Sequence, residues 1–209
     1  MNGGVVLQSV IIATKNAGKA KDFERILKPY GVEVKTLLDF PSIEDVEETG
    51  KTFEENAILK AEAISNKFNR MVIADDSGIM VDVLDGRPGV YSARYAGEDK
   101  NDEANNQKVL EEMTNVAEKD RTARFYCTIA VAIPNKPTIT VNGTCEGSIL
   151  FEGRGTNGFG YDPIFLVASL KKSMAELTPE EKNNISHRAN AMKKLKSQLM
   201  EFFRKGNEE

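Results

Sequence analysis

The chain has 209 residues, 40% of them hydrophobic, enough for one large domain or two small ones. A chain of this size buries roughly 70% of its unfolded surface and needs no disulfide or metal staple. The formal net charge of −4 argues against a long polyanion such as nucleic acid as the main partner, while a small anion could still meet a local basic pocket.

The cysteine spacing matches neither a zinc motif nor a disulfide framework, and Cys127 and Cys145 lie in strand-like segments, where they read as small core residues. Residues 1–11 carry no Lys or Arg and break their apolar run at Gln8 and Ser9, unlike a secretory signal. No apolar stretch approaches the length of a membrane span, so the expectation is a cytoplasmic chain with no membrane partner.

In chain order, S-V-I-I-A-T (9–14) is a β-branched apolar run expected to be a buried strand. Ala20, Phe23, Ile26, Leu27 and Tyr30 share a helical face that Pro29 and Gly31 close, and V-E-V-K-T-L (32–37) reads as a second strand. After an acidic loop, Phe53, Ala57, Ala61, Ile64 and Phe68 mark a long amphipathic helix leading to a strand M-V-I-A (71–74). I-M-V-D-V-L (79–84) is strand-like, D-G-R-P-G (85–89) a turn cluster and 101–113 a helix. Alternation from Ala123 to Ile133, the turn P-N-K-P (134–137) and T-I-T-V-N-G-T (138–144) predict a long antiparallel hairpin. A glycine-rich stretch precedes P-I-F-L-V (163–167), Thr178-Pro179-Glu180-Glu181 starts a capped helix, and a last helix spans about 187–205. Together these predict a single α/β domain over 1–209, a mixed sheet with helices packed on it.

Four segments carry candidate chemistry. A-T-K-N-A-G-K (13–19) sits at a strand-to-helix junction, where unpaired N–H groups, the helix dipole and Lys19 suit a phosphate. Ala13 and Ala20 stand where a P-loop requires Gly and Ser or Thr, so a P-loop is rejected; a capped helix start with a solvated lysine remains open. A-D-D-S-G (74–78) follows an apolar run with two carboxylates. Neighbouring strand residues face opposite ways, so Asp75 and Asp76 could share a site only if the strand ended there and turned through Ser77-Gly78. Carboxylates that close need a cation, and Mg²⁺ takes one or two of them, completing its shell with water and phosphate oxygens. Glu48 is a further candidate ligand and Lys60 a candidate phosphate contact; a plain turn and a solvated acidic loop are the alternatives.

G-R-G-T-N-G (153–158) satisfies a dinucleotide-type glycine pattern without the βαβ context, and that reading is rejected. In F-G-Y-D (159–162) an aromatic face could stack on a base, and Asp162 could accept from ring N–H groups; a turn packed by two aromatics is the alternative. K-N-N-I-S-H-R (182–188) holds the only histidine. Ser186 could cap the last helix and gather Lys182, His187 and Arg188 at its positive end, a group suited to an anion or an exocyclic carbonyl.

The set T-x-N-x-x-K at Thr14, Asn16 and Lys19, E-T-G-x-T-F-x-E-N-A-x-x-K at 48–60, A-D-D-S-G, F-G-Y-D-P and S-H-R resembles the inosine/xanthosine triphosphate pyrophosphatases over about residues 9–203. The resemblance implies an elongated α/β fold with two lobes flanking a cleft, a homodimer, and Mg²⁺-dependent hydrolysis of noncanonical purine triphosphates to monophosphate and pyrophosphate. It also implies that Thr14, Asn16, Lys19 and Lys60 hold the triphosphate and that Glu48 and Asp76 bind the metal. Asp76 would accept the proton from water, supported by Asp75. Ser77, Phe159, Gly160, Tyr161, Asp162, Lys182, His187 and Arg188 would surround the nucleotide. A Maf-type pyrophosphatase and a non-catalytic nucleotide sensor remain as alternatives.

Overall fold

A computed structural model describes the backbone of residues 9–205 and the side chains of 9–196. The outer residues of the last predicted apolar face, Leu199, Phe202 and Phe203, lie outside the described side chains, as do the N-terminal extension and the acidic tail. The sheet has seven strands in the order β2-β1-β3-β4-β5-β6-β7. It is open and mixed: β1 (Ser9–Ile12) pairs in parallel with β2 (Glu33–Thr36) and β3 (Val72–Val81), while β6 (Phe165–Val167) pairs antiparallel with β5 (Ile139–Ile149) and β7 (Lys172–Ser173). The predicted mixed sheet with flanking helices is therefore present. The two-residue β7 was too short to leave a period in the sequence.

The chain forms two compact units, and passes from one to the other within β3, β4 (Thr122–Ala132), β5 and the last helix (His187–Lys205). The first is made of the segments ending at Asp75, Thr128–Val141 and the segment from Ala191. In it α1 (Ala17–Leu27) and α2 (Phe53–Phe68) make the two crossovers that parallel strands require. Thr52 starts α2 with a capping box: its hydroxyl accepts from Glu55 N–H at 3.1 Å and the Glu55 carboxylate accepts from Thr52 N–H at 3.2 Å. Ala57, Ala61 and Ile64 recur at helical spacing and pack with Ile11, Val72 and Ala74 of the sheet in one core.

The second unit comprises Asp76–Cys127 and Asn142–Asn190. Its core gathers Ile79, Val81, Phe125, Ile149, Tyr161 and Phe165, together with Val109 and Met113 from α3 (Asp102–Glu112) and its C-cap. Arg121, almost fully buried, closes the far end of α3. Its Nη1 donates to Met113 O at 2.7 Å, its Nε to Ile149 O at 2.8 Å and its Nη2 to Leu150 O at 2.8 Å. One rigid fork thus ties three carbonyls at the helix and strand ends together. Cys127 and Cys145 are buried and form no disulfide, and burial with the neighbouring Glu146 charge pushes the Cys145 thiol up to about 11.

One expectation is overturned. D-D-S-G is not a turn: β3 runs without a break from Val72 to Val81. Gly78 serves a close approach instead. A Cβ there would lie 2.2 Å from Ser92 Oγ and 2.6 Å from Gly89 O. The Ser92 hydroxyl uses that space to accept from Ile79 N–H at 3.0 Å and donate to Gly89 O at 2.6 Å, so segment 89–92 satisfies the strand edge and the strand continues. Asp75 and Asp76 are thus neighbours in an unbroken strand, the first closing a segment of the first unit and the second opening the second unit.

Gly78→Ala is expected to lower stability by about 1–3 kcal/mol through overpacking. It would appear as a lower urea midpoint at unchanged denaturant slope. An unaltered midpoint would show that the Ser92 contact does not need the missing Cβ.

Candidate functional site

In the first unit the site residues sit at the carboxyl ends of the parallel strands, where open α/β sheets place ligands. Thr14 and Asn16 build the strand-to-helix junction. Asn16 N–H donates to Thr14 Oγ1 at 3.1 Å, and Asn16 Oδ1 caps α1 by accepting from Lys19 N–H at 3.0 Å. Both bonds use oxygen lone pairs, so the Thr14 O–H and Asn16 Nδ2–H donors are the groups suited to face an anion. Lys19 Nζ lies 3.2 Å from Asp75 Oδ2, a carboxylate only 2% exposed. A buried carboxylate persists only with such a counter-charge.

Glu48 belongs to the acidic loop before α2, and Lys60 to the third turn of that helix. Their Nζ–Oε1 distance is 2.5 Å. The motif around them is largely the machinery that holds this loop. Buried Asn56 accepts from Gly50 N–H at 2.8 Å, and Glu55 Oε2 accepts from Lys51 N–H at 2.6 Å. The sequence reading did not assign Asn56 and Glu55; the i,i+4 and i,i+6 spacing of acceptor to loop N–H was the signal available.

The second unit assembles the other candidates. Arg188 and His187 open α5 (His187–Lys205), capped as expected by Ser186, whose Oγ accepts from Ala189 N–H at 3.2 Å. Arg188 is buried and its Nη2 donates to Ser77 Oγ at 3.1 Å. The His187 ring stacks on Phe125 with centroids 5.0 Å apart. Lys182, on the seven-residue α4 (Pro179–Ile185), reaches Asp162 Oδ2 at 2.5 Å and stands 4.9 Å from the centre of the Phe159 ring. Asp162 Oδ2 also accepts from Phe159 N–H at 2.9 Å, so this oxygen ties down its own loop. The tie needs glycine nearby: a Cβ on Gly158, at φ +83°, would meet Asp162 Oδ2 head on.

The two aromatics of F-G-Y-D part company. Tyr161 is 5% exposed and belongs to the core, its hydroxyl donating to Ser92 O at 2.8 Å, and burial pushes the phenol pKa up, away from neutrality. Phe159 is half-buried, so its ring is the one with surface to offer. Asp76, 6% exposed, begins the second unit.

Among the described residues no three His, Cys, Asp or Glu side chains gather as a metal cluster. Magnesium does not require one, since one or two carboxylates with water and phosphate oxygens suffice. The donor set fits that ion: the acids here are hard oxygen donors, His187 is stacked in place and both thiols are buried.

A model of the Ham1 family matches residues 10–198. The chain belongs to the Ham1 family. It is 58% identical over 199 residues to the dITP/XTP pyrophosphatase of Bacillus anthracis, spanning 94% of this chain and 98% of that relative. It is 60% identical over 185 residues to the dITP/XTP pyrophosphatase of Halalkalibacterium halodurans, spanning 88% and 95%. Among solved structures, the Ham1 protein of Staphylococcus aureus superposes with a TM-score of 0.81 at 48% identity, covering 92% of this chain and 98% of that one. Among the described residues of this Ham1 chain, no helix is long and apolar enough to cross a membrane.

Lys182→Met strands the buried Asp162 carboxylate and is expected to cost about 3–5 kcal/mol in urea unfolding. Adding Asp162→Asn, whose amide oxygen still accepts from Phe159 N–H, should recover part of that loss. A double variant less stable than Lys182→Met would show that the pair is not the source of the effect.

Proposed function

We propose that this chain hydrolyses noncanonical purine nucleoside triphosphates, ITP, dITP and XTP, to the nucleoside monophosphate and pyrophosphate, with Mg²⁺ as cofactor. The observation that carries the reading is the pairing of lysine with carboxylate in the first unit, Lys19 with Asp75 and Lys60 with Glu48. Ammonium groups answer phosphate oxygens and carboxylates answer a divalent ion, and a magnesium triphosphate presents both charges at once. The names carried by relatives at about 58% identity support the same chemistry.

In this reading Thr14, Asn16, Lys19 and Lys60 hold the triphosphate, with the α1 N-terminus adding backbone donors. Glu48 and Asp76 are the proposed metal ligands, and Asp75 keeps Lys19 oriented. Bound Mg²⁺ would neutralise phosphate charge and acidify water. Asp76 takes the proton from the attacking water as the α–β anhydride opens, and the electron pair leaves with pyrophosphate. The chain's own contribution is positioning and charge, which dominate phosphoryl-group chemistry.

Ser77, Phe159, Gly160, Asp162, Lys182, His187 and Arg188 attend the nucleoside, Phe159 by stacking and Tyr161 from the core behind it. Hypoxanthine and xanthine carry a 6-carbonyl acceptor where adenine carries an amine, so an Arg188 donor aimed there leaves ATP with two donors face to face. The proposed setting is a cytoplasmic homodimer acting on small molecules, in keeping with a net charge of −4, rather than on nucleic acid or membrane.

A nucleotide panel with pyrophosphate detection, run with Mg²⁺ and with EDTA, tests the reading. ITP, dITP and XTP are expected to exceed ATP and GTP in kcat/KM by about 10²-fold or more, the scale of a buried polar mismatch. Activity should vanish in EDTA. Equal turnover of ATP and ITP would remove the assignment. Asp76→Asn should fold and lose about 10³-fold or more in kcat, and near-wild-type turnover would misplace the proton acceptor.

A further inference from the structure

The Phe159 ring can meet a flat ligand reproducibly only if its backbone is held, and the residue that follows it, Gly160, has no side chain with which to be held. Gly160 lies at φ +60°, in the left-handed region that glycine enters without penalty and leaves as easily. Its two polar groups are both taken by α3. Gly160 N–H donates to Asp102 Oδ2 at 2.7 Å, and Gly160 O accepts from Asn106 Nδ2 at 3.0 Å. Asp102 and Asn106 are four residues apart, one above the other on the same helix face.

The geometry of the peptide planes makes these contacts specific to Phe159. The Gly160 N–H belongs to the peptide just after the Phe159 Cα, and the Phe159 N–H to the peptide just before it. Asp162 holds the first of these planes in chain order and Asp102 the second. Two planes fixed on either side of one Cα fix the direction of its Cα–Cβ bond and leave the ring only its side-chain rotamers. Asn106 then locks the next plane, between Gly160 and the core residue Tyr161.

The helix that does this is itself anchored. Asn105, buried on the adjacent side of α3, accepts from Ala96 N–H at 2.7 Å and donates to Ala93 O at 3.1 Å, and Arg121 secures the C-terminal end at Met113. Asn101 caps the start by accepting from Ala104 N–H at 2.9 Å. An exposed carboxylate on a loose helix would hold nothing; on this one it is a fixed post.

We infer that Asp102 and Asn106 are positioning residues for nucleobase recognition, acting through the Gly160 backbone on the Phe159 ring. The inference deepens the proposed function and rests on Phe159 being the ring that meets the base. It separates the two ends of the substrate: loss of either side chain should weaken recognition of the base and leave the handling of the phosphate tail alone.

The test compares Asp102→Ala, Asn106→Ala and Asp102→Asn, the last retaining an acceptor for Gly160 N–H. KM and kcat for ITP, inhibition by inorganic tripolyphosphate, which has no base, and hydrogen–deuterium exchange across 157–161 are measured on each. For Asp102→Ala we expect KM for ITP to rise about 10-fold or more, the scale of one lost hydrogen bond to a charged group, and for Asn106→Ala, which loses a neutral bond, about 3-fold or more. Their kcat should stay within about 2-fold, tripolyphosphate inhibition should be unchanged and exchange at 157–161 should quicken. Asp102→Asn should restore KM and slow exchange. Faster exchange with an unchanged KM, or an equal loss for ITP and tripolyphosphate, would overturn the inference. A wild-type chain that left ITP intact would instead overturn the function reading and the base role with it. Exchange needs no nucleotide, and unchanged exchange in both alanine variants would by itself refute any hold of α3 on the loop.

Discussion

The continuity of β3 through Asp75, Asp76, Ser77 and Gly78 is the constraint on which the remaining arrangement rests. Two carboxylates in the middle of a buried strand are costly, because each needs a counter-charge or hydrogen-bond donors on its own face. The strand nevertheless runs on, because Gly78 admits the Ser92 hydroxyl against its backbone and that hydroxyl supplies Ile79 N–H with an acceptor. Asp75 is then answered by Lys19. Ser77, two residues along, receives the Arg188 guanidinium. A single extended segment thus distributes polar side chains to separate tasks without a turn.

A second regularity runs through both units. Polar side chains of the motif segments are, in the folded chain, already bonded to nearby backbone or to partner side chains. Asn16 caps α1, Glu55 and Asn56 hold the loop before α2, and Asp162 gathers Phe159 N–H and the Lys182 ammonium. Such bonds settle the geometry of a site before any ligand arrives, which lowers the ordering that binding must impose. The same side chains keep further capacity: an Asn cap engages only its oxygen, and a carboxylate has several lone-pair directions.

What was legible in the sequence followed from local physics. The 3.6-residue period of α1 and α2 and the Thr178 and Ser186 caps are set by neighbours within about four residues, and they appear where expected. The five motif segments were legible as chemistry because lysines at a helix start, carboxylates after an apolar run and an aromatic flanked by glycines each have few physical uses. The alternation in β4 was read correctly on its first half only: from Cys127 onward both faces are buried, since the middle of the sheet is covered on both sides.

The sequence by itself determined the element types, the acid, base and aromatic inventory, and the family pattern that joins them. Tertiary structure alone decided that Ser77-Gly78 extends a strand instead of turning it, since the deciding atom, Ser92 Oγ, comes from a residue 13 positions from its partner. It also decided that Tyr161 is core while Phe159 is half-buried, and that α3, 54 and 58 positions away along the chain, holds Gly160 by both its polar groups. Propensity and periodicity report on interactions within a turn or two of chain; packing partners brought from tens of residues away leave no period to read.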